Sequence, residues 1–181
     1  DALLPPQWPP GADSEARIAD FVARRGLPAY QAAVSSGQHL HPDGMFYGGR
    51  EPTWSNRAVR TFLREHAQSA RRLGWIDVHT GLGPNGHGER IFAAKDDAAA
   101  FARAQAWWNG ADGSTPVTSI YDGSSTSARL TGMLFHAVYD ECPQAEYTGM
   151  AIEYGTLPLL DVMNALRADH WLAQHPQAPA P

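Results

Sequence analysis

The chain has 181 residues, a length that fits one domain, and 43% of them are apolar, which is enough for a sizeable core. The formal net charge of −5 argues against a nucleic-acid-binding surface, which requires a basic face. No apolar stretch approaches the roughly 20 residues that span a bilayer, and no basic start precedes an apolar segment, so we expect neither a membrane span nor a signal peptide. The single cysteine, Cys142, excludes an internal disulfide framework and suits a reducing compartment, so we expect a cytoplasmic protein.

The order of apolar patterns and breaker residues predicts three regions. They are a proline-rich arm over residues 1–12, a single α/β domain over 13–175 and a disordered tail over 176–181. Within the domain, the patterns predict helices over 13–25, 28–36, 53/55–72, 96–108, 128–141 and 158–174, and strands over 73–79, 91–94, 117–121 and 146–153. Strands and helices that alternate in this way indicate a layered α/β/α fold with a mixed, mostly parallel sheet.

Two apolar segments each end in a reactive side chain beside glycines. Residues 73–78 lead into His79 and a Gly/Pro loop, and residues 149–152 lead into Glu153. A buried strand fixes the backbone at such an end, and glycines let a substrate approach closely, so the pair indicates a hydrolytic site. Each side chain also has a plainer interpretation. His79 can be hydrogen-bonded to the backbone, and Glu153 can cap a helix or pair with an arginine.

Three segments in this order resemble the zinc carboxypeptidase superfamily, and more specifically a bacterial branch of uncharacterised carboxypeptidase-A-like proteins. They are residues 75–83 (WIDVHTGLG), 119–127 (SIYDGSSTS) and 151–156 (AIEYGT). By this resemblance His79 is a zinc ligand, Tyr121 belongs to the loop that closes over the substrate, and Glu153 is the catalytic glutamate. The resemblance covers most of residues 37–170. It implies a zinc metallopeptidase or amidohydrolase with a carboxypeptidase-like fold, acting on a peptide or an N-acyl amino acid.

The chain departs from that family in two features. It contains no His-x-x-Glu, which supplies the other two zinc ligands, and it lacks the asparagine–arginine segment that holds the substrate carboxylate. Both features lie upstream in relatives. The chain begins at Asp1 without an initiator methionine, so we expect it to be the C-terminal part of a larger catalytic domain. One protein ligand alone holds zinc weakly, because catalytic sites use three ligands and a water.

Several other side chains are weaker candidates. Arg129 follows the tyrosine loop, near where relatives set side-chain preference, and is a candidate for binding acidic substrates, with a solvated arginine as the alternative. Tyr121 can instead be a half-buried strand aromatic. We expect Asp77 to point to the opposite face of its strand from His79, which makes it a poor second ligand. The remaining candidates are expected to be solvated or packed: His39, His41, His87, Glu89, His136 and Cys142. A metal-ligand role is the alternative for His39 and His41, and substrate contact is the alternative for the loop residues His87 and Glu89.

Two other functions stay open at this point. A non-catalytic binding module of the same fold accounts directly for the missing His-x-x-Glu. A serine hydrolase would use Ser124 or Ser125 with His79 and an acid, but the chain has no Gly-x-Ser-x-Gly elbow of that class.

Overall fold

A computed structural model describes residues 3–110 and 115–178 of the chain. The chain folds into two compact units, Asp1–Arg50 with Pro158–Pro181, and Glu51–Leu157. Residues 1–2 of the predicted arm, 111–114 of a predicted turn and 179–181 of the predicted tail lie outside the described residues. The segment predicted as one domain, residues 13–175, therefore contains parts of both units.

The first unit is helical. It contains α1 (Ala12–Arg25), α2 (Leu27–Ser35) and α6 (Leu159–Gln174), all three close to the predicted bounds. Its core is formed by residues from all three helices and by the start of the chain: Tyr30, Val34 and Met163, with Leu3, Ile18, Phe21, Val22 and Leu159 packed against them. The proline-rich start is therefore packed on this unit through Leu3.

The second unit carries the sheet. In chain order its elements are α3 (Trp54–His66), β1 (Arg72–Gly81), β2 (Gly88–Phe92), α4 (Ala98–Trp108), β3 (Val117–Ser119), a 3₁₀ turn (Leu134–His136), α5 (Ala137–Glu141) and β4 (Glu146–Gly155). Side chains fix where two of the helices begin. Thr53 accepts a hydrogen bond from the Asn56 amide at the start of α3, and Asp97 accepts from the Ala99 and Ala100 amides at the start of α4.

The four strands form one mixed, mostly parallel sheet, which confirms the predicted fold class. Their order is β1-β4-β2-β3. The pairs β1–β4 and β2–β3 are parallel, and β2 runs antiparallel to β4 in the centre. The chain therefore needs long connections between β1 and β4, and helices occupy those connections.

Helices cover both faces of this sheet, so the unit is a layered α/β fold. On one face, Leu63 of α3 and Val138 of α5 pack around Tyr147 of β4. On the other face, Ala100 and Ala104 of α4 pack around Phe92 of β2. Phe92 pairs with Met150, three residues from Tyr147, and an odd separation along a strand places two side chains on opposite faces. We call the Tyr147 side face A and the Phe92 side face B.

The predicted helix over 128–141 is wrong in its first half. Helical structure begins only at Leu134, as a 3₁₀ turn that leads into the short α5. Gly132 has φ = 76°, a left-handed conformation that no residue inside a right-handed helix adopts. The predicted helix to 72 also ends early, at His66, because the chain already turns towards β1. None of the helices in the described residues is both long enough and apolar enough to cross a bilayer.

Candidate active site

His79 and Glu153 are neighbours on the sheet. In the parallel β1–β4 pair His79 lies opposite Glu153, and in the antiparallel β2–β4 pair Glu89 lies opposite Glu153. Residues opposite one another on neighbouring strands share a face and are separated by about 4.8 Å in the pairing direction. His79, Glu153 and Glu89 therefore form one polar row across three strands of face A.

This row borders an apolar part of face A. Two residues along each strand from the Glu89–Glu153 pair, Ala151 of β4 lies opposite Ile91 of β2. Both belong to the cluster that also contains Trp75 and Phe135. The reactive side chains are thus held where the buried sheet meets solvent, as their strand-end positions in the sequence predict.

Asp77 shares this face with His79, and the prediction that it points to the opposite face is wrong. Its Oδ1 lies 3.3 Å from Nε2 of His79. Residues two positions apart on a strand point the same way, so Asp77 and His79 have to share a face. The His79 side chain is 49% exposed, and with Nε2 directed at Asp77 its Nδ1 is left for another partner.

Glu153 is held by the loop that follows β1. The Leu82 amide donates a hydrogen bond of 2.9 Å to Glu153 Oε1. That loop is itself fastened to the end of β4, because the Gly86 amide donates to the Gly155 carbonyl and the Gly155 amide donates to the His87 carbonyl. A Cβ at Gly155 would overlap the Gly83 and Pro84 carbonyl oxygens, so this close approach requires glycine.

Glu89 is the member of the row that the sequence predicts to lie in a loop, and the structure places it in β2. It is 8% exposed. Its Oε1 accepts from the Thr118 hydroxyl at 2.6 Å and from the Thr126 amide at 3.2 Å, and its Oε2 accepts from the Thr126 hydroxyl. The sequence holds one indication of this position. Glu89 lies two residues before the apolar Ile91, and in a strand this spacing places both side chains on the same face.

Tyr121 and Arg129 lie away from this row. The Tyr121 hydroxyl donates to the Ala94 carbonyl at 2.6 Å, and burial raises the pKa of the phenol. Along β2 the chain moves from Glu89, opposite Glu153, to Phe92, opposite Met150, so Ala94 lies towards the other end of the sheet. The Arg129 guanidinium lies over the Tyr121 ring, 5.1 Å from its centre, and is therefore in the same region as Tyr121. The structure therefore does not bring these two residues to His79, and their roles stay predictions.

Several of the weaker candidates have local surroundings that account for them. In the first unit, His39 Nδ1 lies 3.1 Å from the Gly49 carbonyl oxygen. In the second, His136 Nε2 lies 2.8 Å from the Ala93 carbonyl oxygen, which confirms a half-buried, packed histidine. Cys142 is buried and burial raises its pKa, which disfavours a thiolate nucleophile. Ser124 donates its hydroxyl hydrogen to Asp122 and not to His79.

The described residues do not by themselves fit a catalytic zinc centre. Imidazole and carboxylate are suitable zinc ligands, and His79 and Asp77 offer one of each within 3.3 Å. A catalytic centre takes three protein ligands, and no group of three or more His, Cys, Asp or Glu side chains among residues 3–110 and 115–178 is arranged to hold a metal.

A family model described as "Protein of unknown function (DUF2817)" matches residues 1–181. No curated protein and no solved structure matches the chain.

Proposed function

The chain belongs to the DUF2817 family, and we propose that it is the C-terminal part of a zinc-dependent hydrolase of the carboxypeptidase type. The proposed reaction is cleavage of an amide bond in a peptide or an N-acyl amino acid. One observation carries the proposal. His79 and Glu153 lie side by side on one face at the ends of two parallel strands, in the order along the chain that the resemblance implies.

Glu153 is the proposed general base. Its carboxylate accepts a proton from the water that attacks the amide carbonyl, and then gives the proton to the leaving nitrogen. A strand residue suits this task because its position is fixed by sheet pairing, and the Leu82 amide holds one carboxylate oxygen. The other oxygen accepts no hydrogen bond from a described residue and can face the water.

His79 is the proposed metal ligand, with Asp77 as the residue that orients its ring. Because the described residues supply too few ligands, the remaining ones are proposed to come from polypeptide outside this sequence. Two features support such an addition along β1, the strand that carries His79. Among the described residues β1 pairs only with β4, so its other edge is open, and an apolar groove of about 620 Å³ lies between α3 and residues 73–75 at the start of β1.

Two further roles belong to the same proposal. Tyr121 is proposed to close over the substrate, which requires its hydroxyl to leave the Ala94 carbonyl and its side chain to rotate, while the backbone of its loop stays in place. Arg129 is proposed to favour acidic substrates, and it would move with that side chain because its guanidinium lies over the Tyr121 ring. The cytoplasm is the proposed compartment, in keeping with a buried free thiol at Cys142.

The proposal is tested with two substitutions in the full-length gene product. His79→Ala should lose bound zinc and amide hydrolysis together, because it removes a ligand. Glu153→Gln should keep its zinc and lose turnover by about 10²-fold or more, because the amide cannot act as a base. Metal analysis and hydrolysis of a panel of dipeptides and N-acetyl amino acids are the readouts. A Glu153→Gln protein with wild-type turnover would refute the catalytic assignment.

A non-catalytic binding module is the second candidate. The incomplete ligand set among the described residues favours it. In that case the full-length protein binds members of the panel, as measured by calorimetry, and wild type and Glu153→Gln alike release no product. Detectable turnover that a metal chelator abolishes decides for the hydrolase.

A further inference from the structure

We propose that Glu89 is a positioning residue that fixes the loop of residues 121–127, here called the serine loop, beside Glu153. The inference rests on the proposed function, since it makes the end of the serine loop one wall of the site at which the amide substrate binds. Glu89 touches neither metal nor substrate in this proposal. It acts through Thr126.

The course of the loop is the first part of the argument. Ser119, at the end of β3, lies opposite Phe92, at the end of β2 that is remote from Glu153. The serine loop then returns along the sheet, because Thr126 reaches Glu89 with both its amide and its hydroxyl. Glu89 is the neighbour of Glu153 in the polar row. Thr126 therefore lies one strand away from the proposed base.

The carboxylate of Glu89 is the second part. It is buried, and its partners among the described residues are neutral donors, two hydroxyls and an amide. Burying a charge without a cation is unfavourable, and hydrogen bonds to the charged form are the usual compensation. The buried Glu89 carboxylate therefore needs the two Thr126 donors as well as the Thr118 hydroxyl, which makes its contact with Thr126 an anchor for the loop.

Further hydrogen bonds hold the remaining residues of the serine loop. The Ser124 hydroxyl accepts from the Ser119 amide at 2.9 Å and donates to Asp122 at 2.6 Å. The Ser127 amide donates to the Ser125 hydroxyl at 3.0 Å. The first half of the loop is thus held to β3, whereas the half nearest Glu153 is held to the sheet through Glu89.

The test uses three variants of the full-length protein. Glu89→Gln replaces an acceptor oxygen by an NH₂ group that faces donors, and Thr126→Val removes the hydroxyl. Both should raise amide hydrogen exchange in residues 121–127. Both should also raise KM for the best amide substrate by about tenfold, because the loosened loop has to be ordered again when substrate binds, without the lost hydrogen bond to a charged group. The change in kcat should be smaller. Thr126→Ser keeps the hydroxyl and should retain wild-type exchange and KM.

The outcomes separate the two proposals. If Glu89→Gln and Thr126→Val lower stability but leave both loop exchange and KM unchanged, Glu89 has only a structural role and the inference is wrong. If the wild-type protein cleaves no amide, the proposed function fails, and loop exchange alone then decides. Faster exchange in Glu89→Gln and Thr126→Val, but not in Thr126→Ser, supports the anchor, and equal exchange in all three overturns it.

Discussion

Single residues at the end of β4 determine how closely the following loop can approach the candidate base. Gly155 is buried, and its backbone both donates to and accepts from the loop that also supplies the Leu82 amide to Glu153. The lack of a Cβ at Gly155 is what makes room for the Gly83 and Pro84 carbonyls. The lack of a side chain at Gly155 therefore lets the loop that donates to Glu153 pack closely against the end of β4.

Gly155→Ala should therefore destabilise the protein. The added methyl group would overlap backbone atoms, which cannot rotate away, and overpacking of this kind typically costs about 1–3 kcal/mol. The free energy of unfolding in urea measures the effect. Gly86→Asn is the matched control in the same loop, because Gly86 has φ = 73° with open space around it, and asparagine tolerates that conformation. Equal stability of Gly155→Ala and wild type would show that the loop is not tightly packed.

Residue-scale chemistry was only partly predictable from the sequence. His79 and Glu153 stood out because each ends an apolar run beside glycine. The contact of Asp77 with His79 follows from the two-residue period of a strand. The prediction for Asp77 treated it as the direct neighbour of His79, whereas Val78 lies between them. The place of Glu89 opposite Glu153 depends on the register of β2 on β4, and no local pattern states that register.

Between elements, α3 is fastened to α5 by an ion-pair network. Arg60 donates to Glu141 at 2.8 Å and to Asp140 at 2.9 Å, and Arg64 donates to Glu141 at 3.0 Å. The hydrogen bond from Arg60 is the main cause of the lowered pKa of Glu141, and desolvation partly opposes it. The paired, ionised carboxylate stabilises the folded state wherever it is ionised.

The sign of the pH effect follows from that shift. A carboxyl group whose pKa is lower in the folded state contributes stability above its unfolded value, near 4.5, and loses that contribution as pH falls through the folded value. Glu141→Gln should therefore melt at a lower temperature than wild type at pH 7, and the difference should shrink in acid below pH 4.5. Thermal melts over this range measure it.

Glu65→Gln provides the control for that series, because Glu65 is an exposed carboxylate on the same helix. It should melt close to wild type at every pH. A constant difference between Glu141→Gln and wild type down to the acid limit would show that the Glu141 charge is not what joins α3 to α5.

Elements were more predictable than their ends. The three helices of the first unit and the four strands follow from apolar periodicity and from glycine and proline breakers. The failure at 128–133 has a local cause, since Gly132 interrupts a segment whose apolar residues otherwise suit a helix. β2 begins at Gly88, inside a predicted loop, because pairing with β4 extends it beyond its apolar run.

At the scale of the whole molecule, the sheet has an unprotected edge. Among the described residues β1 pairs on one side only, over Arg72–Gly81. On face B of the same strand, Ile76 is 49% exposed and Val78 is 66% exposed. A long edge strand with apolar side chains is a template for pairing with another chain. The fold class was predictable from element order, whereas this edge became visible only with the strand order.

The 181-residue chain should therefore self-associate in a concentration-dependent manner. Val78→Lys should increase the monomer fraction, because a charged lysine on an edge strand opposes pairing. Sedimentation velocity over a range of concentrations measures the monomer fraction. Leu40→Lys, which changes an equally apolar and more exposed residue in the first unit, should leave association unchanged. Equal effects of the two lysines would mean that general surface charge, and not the β1 edge, controls association.

The most direct test is the location of zinc in crystals of the full-length gene product, by anomalous diffraction at the zinc absorption edge. The account predicts a zinc peak about 2.0–2.1 Å from a ring nitrogen of His79, on the face of the sheet that carries Glu153. A zinc ion bound by other residues, with the His79 ring turned away from it, would contradict the account.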